Sequence, residues 1–452
     1  MSNYIHHGKR PHFRPAVLSL FILILSATGS AQEQPGSNYR LTLTEAVQFA
    51  KSQNKWVQAA NMEESAVGQD RKDAYNAALP SININGSYQR FSSLTLFSEG
   101  LSHSTTVPRS PTSNAATLGA DALFNIYNGG RQRAMQKEAS TRLNLARLNT
   151  RDQSGNIALQ TAGQYLDLVR LNDLQKFILD QLKRAQSRLN NINALYKNQK
   201  VTRSDVLRAE VTLSNVQLSL EQTENDITIA NQKLDVLINV PDSVRILPVD
   251  SAAMPKPQMS SLLPLIDAAI ASSYTIRKAA ENVILQQSRL KAVKSANMPS
   301  MSFYSAYGLN YPNYLFFPPV NQAYAIGFVG LKAQYSISSL YHNKSKVAAA
   351  RIRVKEMEVQ QDAYTDNVRT DIKAYYSKYG EALNRIEVNQ HSVEQALVNY
   401  RIVNTKYLNQ LALLTDLLDA DNLYHESRFN LVKAQTDALT IYYYILYISG
   451  NL

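Results

Sequence analysis

The sequence predicts an α+β fold in which long antiparallel α-helical coiled coils are joined to four β-strands per chain. In a seam near the middle of the chain, apolar residues recur at alternating steps of three and four, as in a straight coiled-coil helix. The same seam recurs 211 residues later. Each half also contains two segments whose apolar residues alternate with a period of two, which is typical of β-strands. The seams are Val206, Ala209, Leu213, Val216, Leu220, Thr223, Ile227, Ala230, Leu234 and Leu237, and Leu417, Ala420, Tyr424, Ser427, Leu431, Ala434, Ala438, Ile441, Ile445 and Ile448.

The beginning of the chain has the pattern of a secretory signal peptide. Three basic residues precede an apolar run at 16–25, and the small residues Gly29, Ser30 and Ala31 fit a signal-peptidase site. We therefore expect residues 1–31 to be a signal peptide that is removed on export. The apolar run is short for a transmembrane helix, so an uncleaved anchor is the alternative.

The composition excludes several classes of function. The chain has no cysteine, so it cannot form a disulfide, a thiolate metal site, a catalytic thiol or a cysteine-linked lipid anchor. It carries 47 basic and 36 acidic residues, but these are interleaved along helices, which indicates solvated helix faces rather than a nucleic-acid interface. His425 and Glu426 begin like a zinc motif, but Phe429 occupies the place of its second histidine. We therefore expect no enzyme, no metal site and no cofactor.

The duplicated seam divides the mature chain into two repeats. We expect the first repeat at 32–240, a proline-rich linker at 241–261 and the second repeat at 262–452. In each repeat, a helix ends at a break before a proline, two strands follow, and a very long helix leads to the seam helix, which returns antiparallel to it. The first repeat is expected to have helices at about 43–76, 131–198 and 205–239 and strands at about 80–91 and 116–127. The second is expected to have helices at about 265–296, 343–407 and 416–448 and strands at about 299–311 and 323–337.

The strands decide how this chain could cross a membrane. No stretch of the mature chain approaches the ~20 apolar residues that a spanning helix requires, so an exported chain that crosses a bilayer must do so as a closed β-barrel. Four strands are too few for closure, since single-chain barrels begin at about eight strands. We therefore expect several copies to share their strands, and three copies would supply twelve.

The order and doubling of these features resemble the TolC family of outer-membrane channel proteins. The resemblance is carried by the repeated element order, by Tyr407 followed by the run Asp416-Leu417-Leu418-Asp419-Ala420, and by the counterpart Ser204-Asp205-Val206-Leu207. It implies a homotrimer with a twelve-stranded barrel in the outer membrane and a coiled-coil barrel that extends into the periplasm. It also implies a passive exit duct of a tripartite efflux or type I secretion system. The expected partners are a periplasmic adaptor (membrane fusion) protein, an inner-membrane pump of the resistance-nodulation-division or ABC type, and outer-membrane lipid.

The resemblance also assigns roles to residues at the periplasmic tips. Asp416 and Asp419 stand where the family places its pore constriction, and six carboxylates around one axis would repel one another and favour cations. The alternative is that both are first-turn acids, which the helix dipole favours in any case. Asp205 and Tyr407 match a pair that latches the helical hairpins in the closed state.

The tips depart from the family pattern at several positions. Ala412 stands where members of the family can carry an arginine, and Gln199 and Gln410 stand at the positions of the tip glycines. Arg203 is the nearest candidate to replace the missing arginine. The tip residues expected to dock the adaptor are Gln199, Thr202, Arg203, Gln410 and Leu413.

Two alternatives remain open from the sequence. The chain could instead be a soluble periplasmic coiled-coil adaptor or structural protein, which would need no detergent. The basic cluster of Arg131, Arg133 and Lys137, which has a counterpart at 344–353, could meet lipid headgroups just below the strands, or it could be a solvated helix face. The cargo cannot be identified, because a duct need not recognise what passes through it.

Overall fold

A computed structural model of the chain describes residues 38–98, 100–242, 244–253, 257 and 259–452. The expected signal peptide at 1–31 lies outside these residues. The described part contains long helices, one four-stranded sheet and two small two-stranded sheets. The elements of the first half are β1 (Asn38–Leu41), α1 (Leu43–Gln53), α2 (Lys55–Asn76), β2 (Ser81–Arg90), β3 (Leu94–Leu96), β4 (Thr105–Val107), β5 (Asn114–Asn128), α3 (Arg131–Lys197) and α4 (Arg203–Ile238). Those of the second are β6 (Arg245–Pro248), α5 (Leu262–Ser272), α6 (Tyr274–Lys294), β7 (Ser300–Tyr311), β8 (Tyr324–Gln334), α7 (Ser339–His342), α8 (Lys344–Leu408) and α9 (Leu414–Ile448).

Two helical hairpins form the body of the molecule. Helix α3 has 67 residues and α8 has 65, so each is about 100 Å long at ~1.5 Å per residue. Helix α3 packs along α4, α8 packs along α9, and α3 also contacts α9 and α6. Most seam residues of α4 and about half of those of α9 are buried in these contacts, including Leu234 and Ile445. Burial of the seams therefore supplies much of the apolar contact within each hairpin.

The helices expected at 43–76 and 265–296 are each broken into two, so the sequence prediction of continuous helices was wrong. Asn54 is extended, with φ −62° and ψ 133°. Its side-chain oxygen accepts from the N–H of Trp56, and its side-chain nitrogen donates to the carbonyl of Leu237 on α4, both at 2.9 Å. Ser273 is extended at the equivalent point of the second half. The break at Asn54 is thus stabilised by a contact with another helix, which periodicity along α1 and α2 does not reveal.

Two small sheets lie in segments that the sequence analysis read as linker or loop. Strand β1 pairs in parallel with β6, so that Tyr39 lies opposite Ile246. This pairing brings the segment between the halves against the first helix of the chain. Strands β3 and β4 form a short antiparallel pair inside the loop between β2 and β5. Strands of three or four residues are too short to show a period of two, which is why the sequence pattern missed them.

The four-stranded antiparallel sheet has the order β2-β5-β7-β8, so β5 and β7 join the two halves. Ile82 lies opposite Ala122, and Asn85 and Gly86 lie inside β2. One face of the sheet is polar near β2, where Asp121 accepts hydrogen bonds from the side chains of Asn83 and Asn85 at 2.9 and 2.6 Å. The opposite face is largely apolar and carries Ile82, Ile84, Tyr88, Leu118, Ala120, Ala122, Phe124, Phe303, Tyr307, Leu309, Val329 and Leu331.

Among the described residues, no helix is both long enough and apolar enough to cross a lipid bilayer.

Candidate functional site

The turns that connect α3 to α4 and α8 to α9 lie together at one end of the molecule. A cluster of buried apolar residues joins them, with Ile192, Val206 and Ala209 from the first hairpin and Leu414 and Leu418 from the second. This cluster holds the two tips side by side within one chain. The residues that the sequence analysis assigned to the pore constriction, the latch and adaptor docking all lie in or beside these tips.

Gln199 and Gln410 end α3 and α8 in the left-handed backbone region, with φ of 56° and 63°. In the first tip, the N–H of Gln199 donates to the carbonyl of Tyr196 and the N–H of Lys200 donates to that of Leu195, both at 2.9 Å. The second tip has the same pair of bonds around Gln410, at 2.9 and 2.8 Å. This bond pattern ends a helix most favourably with glycine. Both turns therefore contain a glutamine in a backbone conformation that is sterically unfavourable for it.

Replacing Gln199 and Gln410 together by glycine should stabilise the tips by about 0.5–1 kcal/mol per site, because glycine adopts the left-handed conformation without that cost. The midpoint of thermal unfolding of the detergent-solubilised protein, followed by circular dichroism, measures the effect. The control is Gln186→Gly at an exposed position inside α3, which should destabilise by about 1 kcal/mol. A double variant that melts below the wild type would contradict this interpretation of the turns.

Both helices that leave the tips begin with a capping aspartate. The Asp205 carboxylate accepts from the N–H of Thr202 at 2.9 Å and from its hydroxyl at 2.7 Å, and that hydroxyl accepts from the N–H of Asp205 at 3.2 Å. Asp416 accepts from the N–H of Leu413 at 3.0 Å, but the leucine side chain has no acceptor to return the bond. Asp205 and Asp416 therefore act as first-turn capping acids within the single chain. Asp416 and Asp419 are both exposed.

The proposed latch residues lie near each other, but no hydrogen bond joins them within the described part of the chain. The hydroxyl of Tyr407 is buried without a hydrogen-bond partner there. Burial raises the pKa of Tyr407, and the nearby Asp205 carboxylate raises it further. Asp205 is instead bonded to Thr202. Tyr407 thus retains an unused hydroxyl at the place where the latch is expected.

A buried ion-pair network near the tips involves an aspartate that the sequence analysis did not single out. Asp421 on α9 is 2% exposed and accepts from Arg184 at 3.1 Å and from Arg188 at 2.8 Å, both on α3. Burial and the Arg184 charge lower the pKa of the neighbouring His425 to about 4, so this imidazole is neutral at ordinary pH. The spacing of Arg184 and Arg188 by four residues hints at a shared partner, but only the register between the hairpins identifies it.

The described residues contain no cluster of three or more histidine, aspartate or glutamate side chains that could hold a metal ion. His425 lies against Arg184 rather than beside further metal ligands. The polar contacts described at and near the tips are helix caps at Asp205 and Asp416 and an ion pair at Asp421.

Comparison with known proteins agrees with this architecture. Residues 46–240 match the model of the family described as outer membrane efflux protein. By sequence alone, no curated protein matches the chain significantly.

Several solved channels have the same fold. The outer-membrane channel OprN is 16% identical, with a TM-score of 0.75 over 91% of this chain and 90% of that one. CusC is 13% identical, with a TM-score of 0.77 over 91% and 92%. The open state of the MtrE outer-membrane channel from Neisseria gonorrhoeae is 17% identical, with a TM-score of 0.72 over 91% and 89%.

The solved proteins that share this fold are membrane channels, and the matched family model is that of outer membrane efflux proteins. Residues 46–240 form an outer membrane efflux protein domain, and the chain has the channel fold over nine-tenths of its length. The resemblance to the TolC family is thereby confirmed for the domain at 46–240 and for the fold, and the matched family and the solved channels OprN and MtrE are outer-membrane proteins, in agreement with the expected location. The alternative of a soluble periplasmic protein finds no support.

Proposed function

We propose that the chain is the subunit of a trimeric, passive exit duct that three copies close by sharing their strands. The observation that carries this proposal is a sheet with one exposed apolar face and two outer strands, β2 and β8, attached to hairpins about 100 Å long. Strand edges inside lipid leave backbone groups unsatisfied. Pairing of β8 of one subunit with β2 of the next would satisfy them and would give a twelve-stranded barrel.

The two faces of the sheet support an orientation within this barrel. Exposed side chains such as Ile84 and Val329, at 79% and 74%, belong to the apolar face and would contact lipid. Asp121, with Asn83 and Asn85 bonded to it, lies on the opposite face and would line the duct. A hydrated lumen suits these amide and carboxylate groups, which would be costly to bury in lipid.

We place the gate of this duct at the tips. In a trimer, Asp416 and Asp419 would contribute six carboxylates around one narrow axis, and their mutual repulsion would favour bound cations. Asp205 and Tyr407 would hold neighbouring hairpins together in the closed state. An adaptor would release this latch, and the hairpins would uncoil at the tips and widen the pore. The adaptor would engage Gln199, Thr202, Arg203, Gln410 and Leu413. The adaptor would in turn connect the duct to an inner-membrane pump of the resistance-nodulation-division or ABC type.

Replacing Asp416 and Asp419 by asparagine should reduce the cation preference of the channel severalfold, because the ring of negative charge at the narrowest point is lost. Reversal potentials in planar lipid bilayers under a salt gradient measure this preference. The control is Asp70→Asn with Asp73→Asn, an exposed pair on α2 with the same spacing and far from the tips in the chain. Unchanged selectivity in the tip variant would remove the gate assignment, whereas a wild type that forms no channel would contradict the duct itself.

A further inference from the structure

The junction between the sheet and the long helices is unusually basic. Residues 282–355 contain nine lysines and arginines and no aspartate or glutamate. Residues 122–137 contain three basic residues and again no acidic one. These two segments include the ends of β5, β7 and β8 that lie next to the helices, and the first turns of α3 and α8. Positive charge is therefore concentrated where the strands end, in contrast with the interleaved charges of the helices below.

A cleft of about 570 Å³ opens at this junction. Arg131, at the start of α3, and Lys346, in the first turn of α8, come from the two halves of the chain and line the same cleft. Both residues are exposed, and neither forms an ion pair with a described residue. Asn128, Gln334 and further polar residues line the cleft beside them. Two uncompensated cations with neighbouring amide groups suit a phosphate.

The position of the cleft relative to the apolar face of the sheet indicates the source of this phosphate. Tyr127 and Met301 are paired across β5 and β7, next to the pair Phe124 and Phe303, and form the last large apolar row before the junction. Asn128 follows Tyr127 directly, about 3 Å further along the strand. Lipid headgroups occupy a layer of several ångströms beyond the hydrocarbon. The cleft thus lies at the depth at which a headgroup would meet the protein, if the apolar face contacts lipid.

We propose that this cleft binds the phosphate of an anionic phospholipid headgroup in the periplasmic leaflet of the outer membrane, with Arg131 and Lys346 supplying the charge. This inference rests on the proposed function, because it requires the sheet to lie in the membrane. Each lysine or arginine near an anionic surface adds to the attraction. The bound lipid would fix the depth of the duct in the membrane at the point where strands become helices.

The test is native mass spectrometry of the full-length protein in detergent with added phosphatidylglycerol or phosphatidylcholine of matched acyl chains. The wild type should retain phosphatidylglycerol preferentially, and Arg131→Gln with Lys346→Gln should weaken this retention about tenfold. The control is Arg351→Gln with Arg353→Gln, which removes two exposed basic residues of the same acid-free segment that do not line the cleft. This control variant should retain phosphatidylglycerol about as well as the wild type does.

Three results would overturn the proposal. The first is equal retention of both lipids by the wild type. The second is an equal loss of phosphatidylglycerol retention in the cleft variant and in the control variant. The third is complete displacement of phosphatidylglycerol by inorganic phosphate at a similar concentration, which would indicate a site for free phosphate. A fourth, a change in ion selectivity of the cleft variant without a change in lipid retention, would also overturn it, because the two charges would then line the lumen. Channel formation by the wild type in planar bilayers is measured in parallel, so that a failure of the duct is distinguished from a failure of the lipid site.

Discussion

Replacing Asp421 by alanine should lower the free energy of unfolding by about 3–5 kcal/mol, because the change leaves two arginines near the tips without their counter-charge. Asp421 accepts from both Arg184 and Arg188, and Arg188 is itself only 7% exposed. Removal of one partner of a buried ion pair costs far more than the net contribution of the pair. Denaturant unfolding of the detergent-solubilised protein, followed by circular dichroism, measures the loss.

The matched control for this prediction is Asp180→Ala. Asp180 also lies on α3 and also faces an arginine, Arg428 at 3.7 Å, but its side chain is 51% exposed. Solvent screens such a pair, so the cost should stay below about 1 kcal/mol. Equal costs for Asp421→Ala and Asp180→Ala would contradict the assignment of a buried ion-pair network.

A triple variant separates the unpaired charges from the loss of packing. Arg184→Met, Arg188→Met and Asp421→Leu together replace the network by apolar groups of similar size, and most of the lost stability should return. Because Asp421 joins α9 to α3, Asp421→Ala should also increase hydrogen exchange of the tip segments. The triple variant should restore protection there only to the extent that apolar packing can replace the bonds between the hairpins.

The stability of the protein should fall as the pH rises from about 4 to about 7, and Asp235 should cause much of this fall. Asp235 on α4 is fully buried, and neither carboxylate oxygen has a hydrogen-bond partner among the described residues. Burial, together with the charge of Asp242, raises the pKa of Asp235 to about 7. In the unfolded chain, the pKa of an aspartate is about 3.9. The folded protein therefore binds a proton over this pH range that the unfolded chain has already released.

Since the folded state binds more protons in this window, the free energy of unfolding decreases as the pH rises and becomes level above the folded pKa. The full effect of Asp235 is of order 2–4 kcal/mol. Asp235→Asn keeps the shape of the side chain and cannot ionise, so it should be more stable than the wild type at pH 8 and similar to it near pH 4.

Denaturant unfolding at a series of pH values from 4 to 8 measures the difference between the two proteins. Asp226→Asn, at an exposed position of the same helix, is the control and should leave the pH dependence of the wild type intact. Parallel curves for the wild type and Asp235→Asn would show that the buried carboxylate does not titrate in this range.

Some elements could be located from the sequence because their signals are local. Asn128, Gly129 and Gly130 end a strand directly before α3, and the heptad seams identify α4 and α9. The period of two likewise located the four long strands. Each of these signals arises within one segment and needs no knowledge of its neighbours.

Other features depend on segments that are distant in the chain. The break at Asn54 is held by the Leu237 carbonyl, 183 residues away, and β1 exists because it pairs with β6 on the far side of the first hairpin. Asp421 was missed because its sequence neighbours Asp416 and Asp419 carry the same functional group. Burial against Arg188, which is 233 residues away, distinguishes it from them.

By itself, the sequence determined the fold class of this protein. Periods of 3.5 and 2 and their recurrence specify long hairpins and a sheet with one apolar face, since each pattern follows from the geometry of a single element. Only the tertiary structure decided which charges are buried, which acids cap helices, and which cations share a cleft at the junction. These properties depend on the register between elements and on exclusion of water, and no single segment encodes either of them.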